Sequence, residues 1–161
     1  VAREITTAEY QALAELRYRI RRFVREGDAV VQTAGLEPQQ YLLLLAIRGL
    51  PDGEEATIRA LAERLVLKHH SVVELIDRLE AHGYVRRNRS RDDRRRVLVV
   101  LLPRGEKLLE LVVRDRIGEL RSSGAALVNA ISALLENGGL SPGKGQTRRP
   151  SETKLRKRGR E

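Results

Sequence analysis

The chain has 161 residues, of which 41% are hydrophobic and 33% charged, and its formal net charge is +9. Its length suits one domain with a real core, and its charge points to a polyanion, either nucleic acid or an anionic membrane face. With no cysteine, disulfides and thiolate chemistry are excluded; no apolar run approaches the ~18 residues of a membrane span, and no signal peptide is recognised at the start, so a cytoplasmic location is expected.

Aromatic residues make up only 3% of the chain, so the core must come from Leu, Val, Ile and Ala, and Leu and Ala favour helix. Thr6 and Glu9 form a capping box pattern, with Ile5 and Tyr10 as a hydrophobic staple. Leu13, Leu16, Ile20, Phe23 and Val24 then follow at helical spacing, and Gly35 is placed to end this first helix. Pro38 at an N1 position opens a second helix through Leu42–Leu45 to Ile47, apolar nearly all round and expected in the middle of the fold. Thr57 can cap a short third helix bearing Ile58, Leu61, Ala62 and Leu65 on one face. A turn at Val66-Leu67 leads to a fourth, near Lys68 to His82. There Val72, Leu75, Ile76 and Leu79 share one face, leaving His70, Glu74, Asp77 and Ala81 opposite, and Gly83 ends it. Tyr84–Arg89 and Val97–Leu102 flank a polar tip and read as a β-hairpin. Pro103 opens a fifth helix; Ser122-Ser123-Gly124 interrupts it, and Leu127, Val128, Ile131, Leu134 and Leu135 mark a sixth. Residues 141–161 hold eight Lys/Arg and two Glu around a single large aliphatic, Leu155. Such a segment buries too little apolar surface to offset its ordering entropy, so a disordered basic tail is expected there.

The stretch VRRNRSRDDRRRVLVVLL places seven arginines between Arg86 and Arg96. Like charges at that density repel one another unless an anion relieves them. A helix, a tight turn, a second helix and a hairpin follow in the order of a winged helix-turn-helix, whose second helix lies in the major groove. Lys68, His69, His70 and Ser71 would occupy the N-terminal turn of that recognition helix, where free N–H groups add to their own donors. A hairpin tip carrying Arg91, Arg94, Arg95 and Arg96 suits a narrow, negative minor groove. Asp92 and Asp93 look foreign to an anion-binding loop, but a carboxylate can orient a neighbouring guanidinium.

Residues 57–105, TIRALAERLVLKHHSVVELIDRLEAHGYVRRNRSRDDRRRVLVVLLPRG, resemble the DNA-binding core of the MarR (multiple antibiotic resistance regulator) family. The resemblance rests on Leu61-Ala62, Asp77-Arg78-Leu79, Gly83-Tyr84-Val85, Asp93-Arg94-Arg95 and Pro103-Arg104-Gly105 at the family's spacing, and it extends over roughly residues 6–137. It implies that Arg95 enters the minor groove, that Asp93 steadies it, that Arg78 reaches the DNA backbone and that Asp77 binds a wing arginine. Glu74 joins the recognition-helix set by its exposed position. Leu102 stands where the family usually has a capping threonine, and Ser90 replaces a common aspartate.

The expected fold is mainly α with a small β-hairpin wing: a winged helix-turn-helix domain over residues 1–140. Its DNA-binding lobe spans about 38–103, between dimerisation helices near 6–34 and 104–137. The expected function is a homodimeric, sequence-specific regulator of transcription, in the repressor sense, acting on double-stranded DNA. The resemblance further implies a small aromatic or anionic effector, for which Tyr10, Arg17, Tyr18, Arg21 and Tyr41 are candidate pocket residues. The rival class is an architectural DNA- or RNA-binding protein without sequence choice. No catalytic residue, cofactor or metal site is expected. Adjacent His69 and His70 are poorly placed to share an ion from a helix, and Ser71 beside His70 lacks the turn a nucleophile needs. Deleting residues 141–161 is expected to leave the melting temperature unchanged and to flatten the salt dependence of DNA binding. An unchanged slope in binding titrations would remove the tail from the DNA contact.

Overall fold

The computed structural model describes residues 4–89 and 96–137, so the hairpin tip at 90–95 and the basic segment at 141–161 lie outside the described residues. Five helices and one hairpin run in the order α1 (Thr7–Thr33), α2 (Pro38–Arg48), α3 (Ile58–Leu65), α4 (His69–Ala81), β1 (Val85–Arg89), β2 (Val97–Leu101) and α5 (Pro103–Asn137). α1 starts on the capping box read from the sequence. The Glu9 amide donates to Thr6 Oγ1 (3.3 Å), and the Thr6 amide donates to the Glu9 carboxylate (2.8 Å). It ends where Gly35 takes φ +84°, a left-handed conformation that costs glycine no side-chain clash. Thr57 caps α3 through Ala60 N (3.2 Å).

α3 and α4 are joined at Val66, which adopts φ +53° and is 90% exposed. A β-branched residue there costs about 1–2 kcal/mol, so the tight turn is imposed by the packing of the two helices on either side. Leu61 from α3 and Val72, Ile76 and Leu79 from α4 are fully buried against Leu43 and Leu44 of α2, Val85 of β1 and Val99 of β2. The hairpin is antiparallel, with Val85 opposite Leu101, Arg87 opposite Val99 and Arg89 opposite Val97. A third short segment joins it: Thr57 bridges to Leu98, and the Val99 amide donates to the Ala56 carbonyl (2.9 Å). Nothing in the sequence periodicity announces that third segment, because it is only one bridge long.

Two expectations need correction. The break at Ser122-Ser123-Gly124 is absent, and α5 continues through it to Asn137. Both serine hydroxyls donate back to the Glu119 carbonyl (2.9 Å each), within the helix rather than against it. One glycine costs a helix only about 1 kcal/mol, which the packing of α5 along α1 outweighs. α2 is not buried all round: Leu43 and Leu44 enter the core, whereas Leu42 and Leu45 stay partly exposed on a second apolar face toward α5.

α5 approaches the wing most closely at buried Gly105. A Cβ there would collide with the Tyr84 carbonyl, which is itself pinned by the Leu102 amide (2.9 Å). Gly105→Ala is expected to destabilise the fold by about 1–3 kcal/mol, as overpacking does, although alanine is the better helix former. Denaturant melts that show equal or greater stability would contradict that close approach.

Candidate nucleic-acid interface

α4 begins with Lys68 as its N-cap, and no side chain accepts the first amides of the helix. Lys68, His69 and His70 are exposed and Ser71 is half-buried, with no acidic residue in the first turn. Free N–H groups, the positive end of the helix dipole and a lysine therefore face solvent together, a ready site for phosphate oxygens or base acceptors. Glu74 is exposed further along the helix. Arg78, also exposed, pairs with Glu37 at the start of α2 (3.1 Å).

The hairpin is tied to α4 by Arg87. Its amide donates to Glu80 Oε1 (2.9 Å) and its Nη1 to Glu80 Oε2 (2.5 Å). Its Nη2 donates to Asp77 Oδ1 (2.6 Å) and to the Val73 carbonyl (3.4 Å). Burial works against the Arg87 charge, and its hydrogen bonds to Asp77 and Glu80 more than offset it, so its pKa lies above the ordinary arginine value. Arg86, on the opposite face of β1 from Arg87, and Arg89, at the end of the strand, are exposed. Beyond the tip, Arg96 pairs with Glu55 (2.5 Å), just before the Ala56–Thr57 segment. Thus carboxylates hold both roots of the wing, while Arg86 and Arg89 face solvent. Arg91, Asp93, Arg94 and Arg95 lie outside the described residues.

Glu80 and Glu55 were not legible as partners in the sequence. Glu80 lies one turn after Asp77 on the same helix face, which is a weak signal, and Glu55 sits in a loop with no periodicity at all. Among the described residues no group of His, Cys, Asp and Glu is gathered as a metal site.

Behind the interface, α1, α2 and α5 line a mostly apolar, half-open cavity of about 510 Å³ bounded by Phe23, Val31, Tyr41, Leu42, Leu45 and Ile117. Of the five effector candidates, only Tyr41 lines it. Tyr10, Arg17, Tyr18 and Arg21 of α1 are exposed and do not line it. Burial pushes the Tyr41 phenol up from its ordinary pKa, with nearby Arg116 pulling the other way.

Arg87→Ala is expected to cost about 1–2 kcal/mol of stability, since it strands Glu80 half-buried and removes three side-chain hydrogen bonds. The same change should weaken DNA binding with α4 intact by circular dichroism. A variant with unchanged melting and unchanged affinity would show that the tie is idle.

The model of the MarR family matches residues 34–96, the segment from the end of α1 to the second root of the wing. The HTH-type transcriptional regulator YsmB of Bacillus subtilis (strain 168) is 28% identical over 112 residues, covering 70% of this chain and 75% of that one. Among solved structures, AbsC of Streptomyces coelicolor, a MarR family transcriptional regulator, superposes with a TM-score of 0.68 at 20% identity, over 86% of this chain and 96% of its own. BpsR of Bordetella bronchiseptica superposes with a TM-score of 0.57 at 25% identity, over 79% and 91%. The order of elements, the placement of the hairpin behind α4 and these likenesses coincide: the chain has the winged helix fold of the MarR family of transcriptional regulators, and its residues 34–96 are similar to that family.

Proposed function

We propose that the protein is a homodimeric, sequence-specific repressor in the cytoplasm that leaves its operator when a small molecule enters the cavity between α1, α2 and α5. The observation that carries this reading is the fixed angle between α4 and the hairpin. A recognition helix with a bare, positive N-terminus and a wing locked to it by Arg87 can address one major groove and the neighbouring minor groove in register. In this reading Lys68, His69, His70 and Ser71 approach base edges and Arg78 the backbone. Arg91, Arg94, Arg95 and Arg96 serve the wing, oriented by Asp77 and Asp93.

Dimerisation is supported by the terminal helices. Leu13 and Ile20 of α1 and Leu111, Val128, Ile131 and Leu135 of α5 are all at least 39% exposed, an apolar surface that one chain leaves uncovered. A second copy related by a two-fold axis would cover it and place two recognition helices on one face. Effector release is supported by the cavity, which touches α2 of the DNA-binding lobe and both dimer helices at once. DNA binding by the similar BpsR is regulated by 6-hydroxynicotinic acid.

A selection from random DNA with the full chain tests the reading. It is expected to enrich a palindrome with half-sites about 10 bp apart. An unenriched pool would favour a binder that reads only charge and shape. Arg95→Ala should weaken binding to the selected site by about 1–3 kcal/mol. Asp93→Ala should weaken it too, although that change makes the protein more basic. If Asp93→Ala instead tightens binding to selected and random DNA alike, the wing is only a patch of charge. Light scattering at micromolar protein should return the mass of a dimer.

A further inference from the structure

Two charged side chains reach the cavity between α1, α2 and α5: Asp28 from α1 and Arg116 from α5. They are not equivalent. Arg116 is only 12% exposed and already has an ion-pair partner. It pairs with Glu119 one turn along its own helix, donates to the Phe23 carbonyl (3.3 Å), and holds its guanidinium 4.4 Å from the Phe23 ring centroid. Gly27 makes that position available, since a Cβ there would occupy the space of the guanidinium. Glu119, in turn, has Arg116 as its sole side-chain partner among the described residues. Asp28, half-buried at the same cavity, has neither an ion pair nor a side-chain hydrogen bond among the described residues.

The unbalanced charge of this apolar chamber is therefore one carboxylate. A carboxylate ligand would compete with half-buried Glu119 for Arg116 and would also face Asp28 as a like charge. A cation meets Asp28 with nothing displaced, and the aromatic and aliphatic walls cover the rest of it. We infer that the cavity takes a hydrophobic monocation, an aromatic or branched-alkyl ammonium or amidinium, with Asp28 as its counter-ion. This rests on the reading of the cavity as an effector site, and it reverses the sign of charge that the family resemblance suggested.

Three probes with the same ring system test it on the full chain at neutral pH: 2-naphthylmethylammonium, 2-naphthalenemethanol and 2-naphthoate, each titrated calorimetrically. The ammonium is expected to bind at least tenfold more tightly than the other two. Asp28→Asn should erase that preference, Asp28→Glu should keep it, and Leu42→Trp, which fills the chamber, should block all three. Naphthoate binding best, a preference that survives Asp28→Asn, binding that survives Leu42→Trp, or no binding by any probe at millimolar concentration would each overturn the inference. Repeating the titrations with labelled DNA separates this from the effector reading. An ammonium that binds through Asp28 without releasing DNA supports the cation site and removes its regulatory role. Naphthoate that binds best and releases DNA does the reverse.

Discussion

The angle between α4 and the hairpin is the constraint on which the candidate interface depends, and Arg87 sets it. Apolar contacts of Val85 and Val99 with Leu79 and Ile76 hold the hairpin base against the helix, but hydrophobic packing is non-directional. Charge-assisted hydrogen bonds from one guanidinium to two carboxylates, one turn apart on α4, remove the remaining freedom. Turning Arg87 toward α4 puts Arg86, its neighbour on the opposite face of β1, in solvent.

What was legible in the sequence was local. The Thr6–Glu9 capping box, the Thr57 cap, Gly35 and Gly83 at helix ends and the apolar face of α4 are interactions within four residues, or consequences of one residue's backbone preference. They appear where the spacing puts them. The expectations that failed depended on partners far along the chain. α5 ignores Ser122-Ser123-Gly124 because its stability comes from lying along α1, and no local window contains that term. The second apolar face of α2 reads as part of a buried helix until one knows that a chamber lies beside it.

The candidate site divides in the same way. Lys68 to Ser71 and Asp77 could be placed on a helix face from periodicity alone. The pairing of Arg87 with Glu80, of Arg96 with Glu55 and of Arg116 with the Phe23 carbonyl could not, because each joins elements whose approach is fixed only by the fold. Tyr10, Arg17, Tyr18 and Arg21 illustrate the converse error. Aromatic and basic residues on a helix near a cavity are not in it unless they fall on the right turn, and among the α1 residues that line it Phe23 comes first.

The single bridge between Thr57 and Leu98 has a consequence for solubility. It lays backbone along the outer side of the apolar strand VLVVL, so that strand is flanked on both sides and offers little free edge. Among the described residues, the strand VRRNR has no strand beside its outer edge, where the Arg87 amide is taken by Glu80. An unpaired edge is a template for adding another chain, and here it is lined by arginines that repel a second copy of themselves. The same charge that suits the hairpin to a polyanion keeps it from pairing with its own kind.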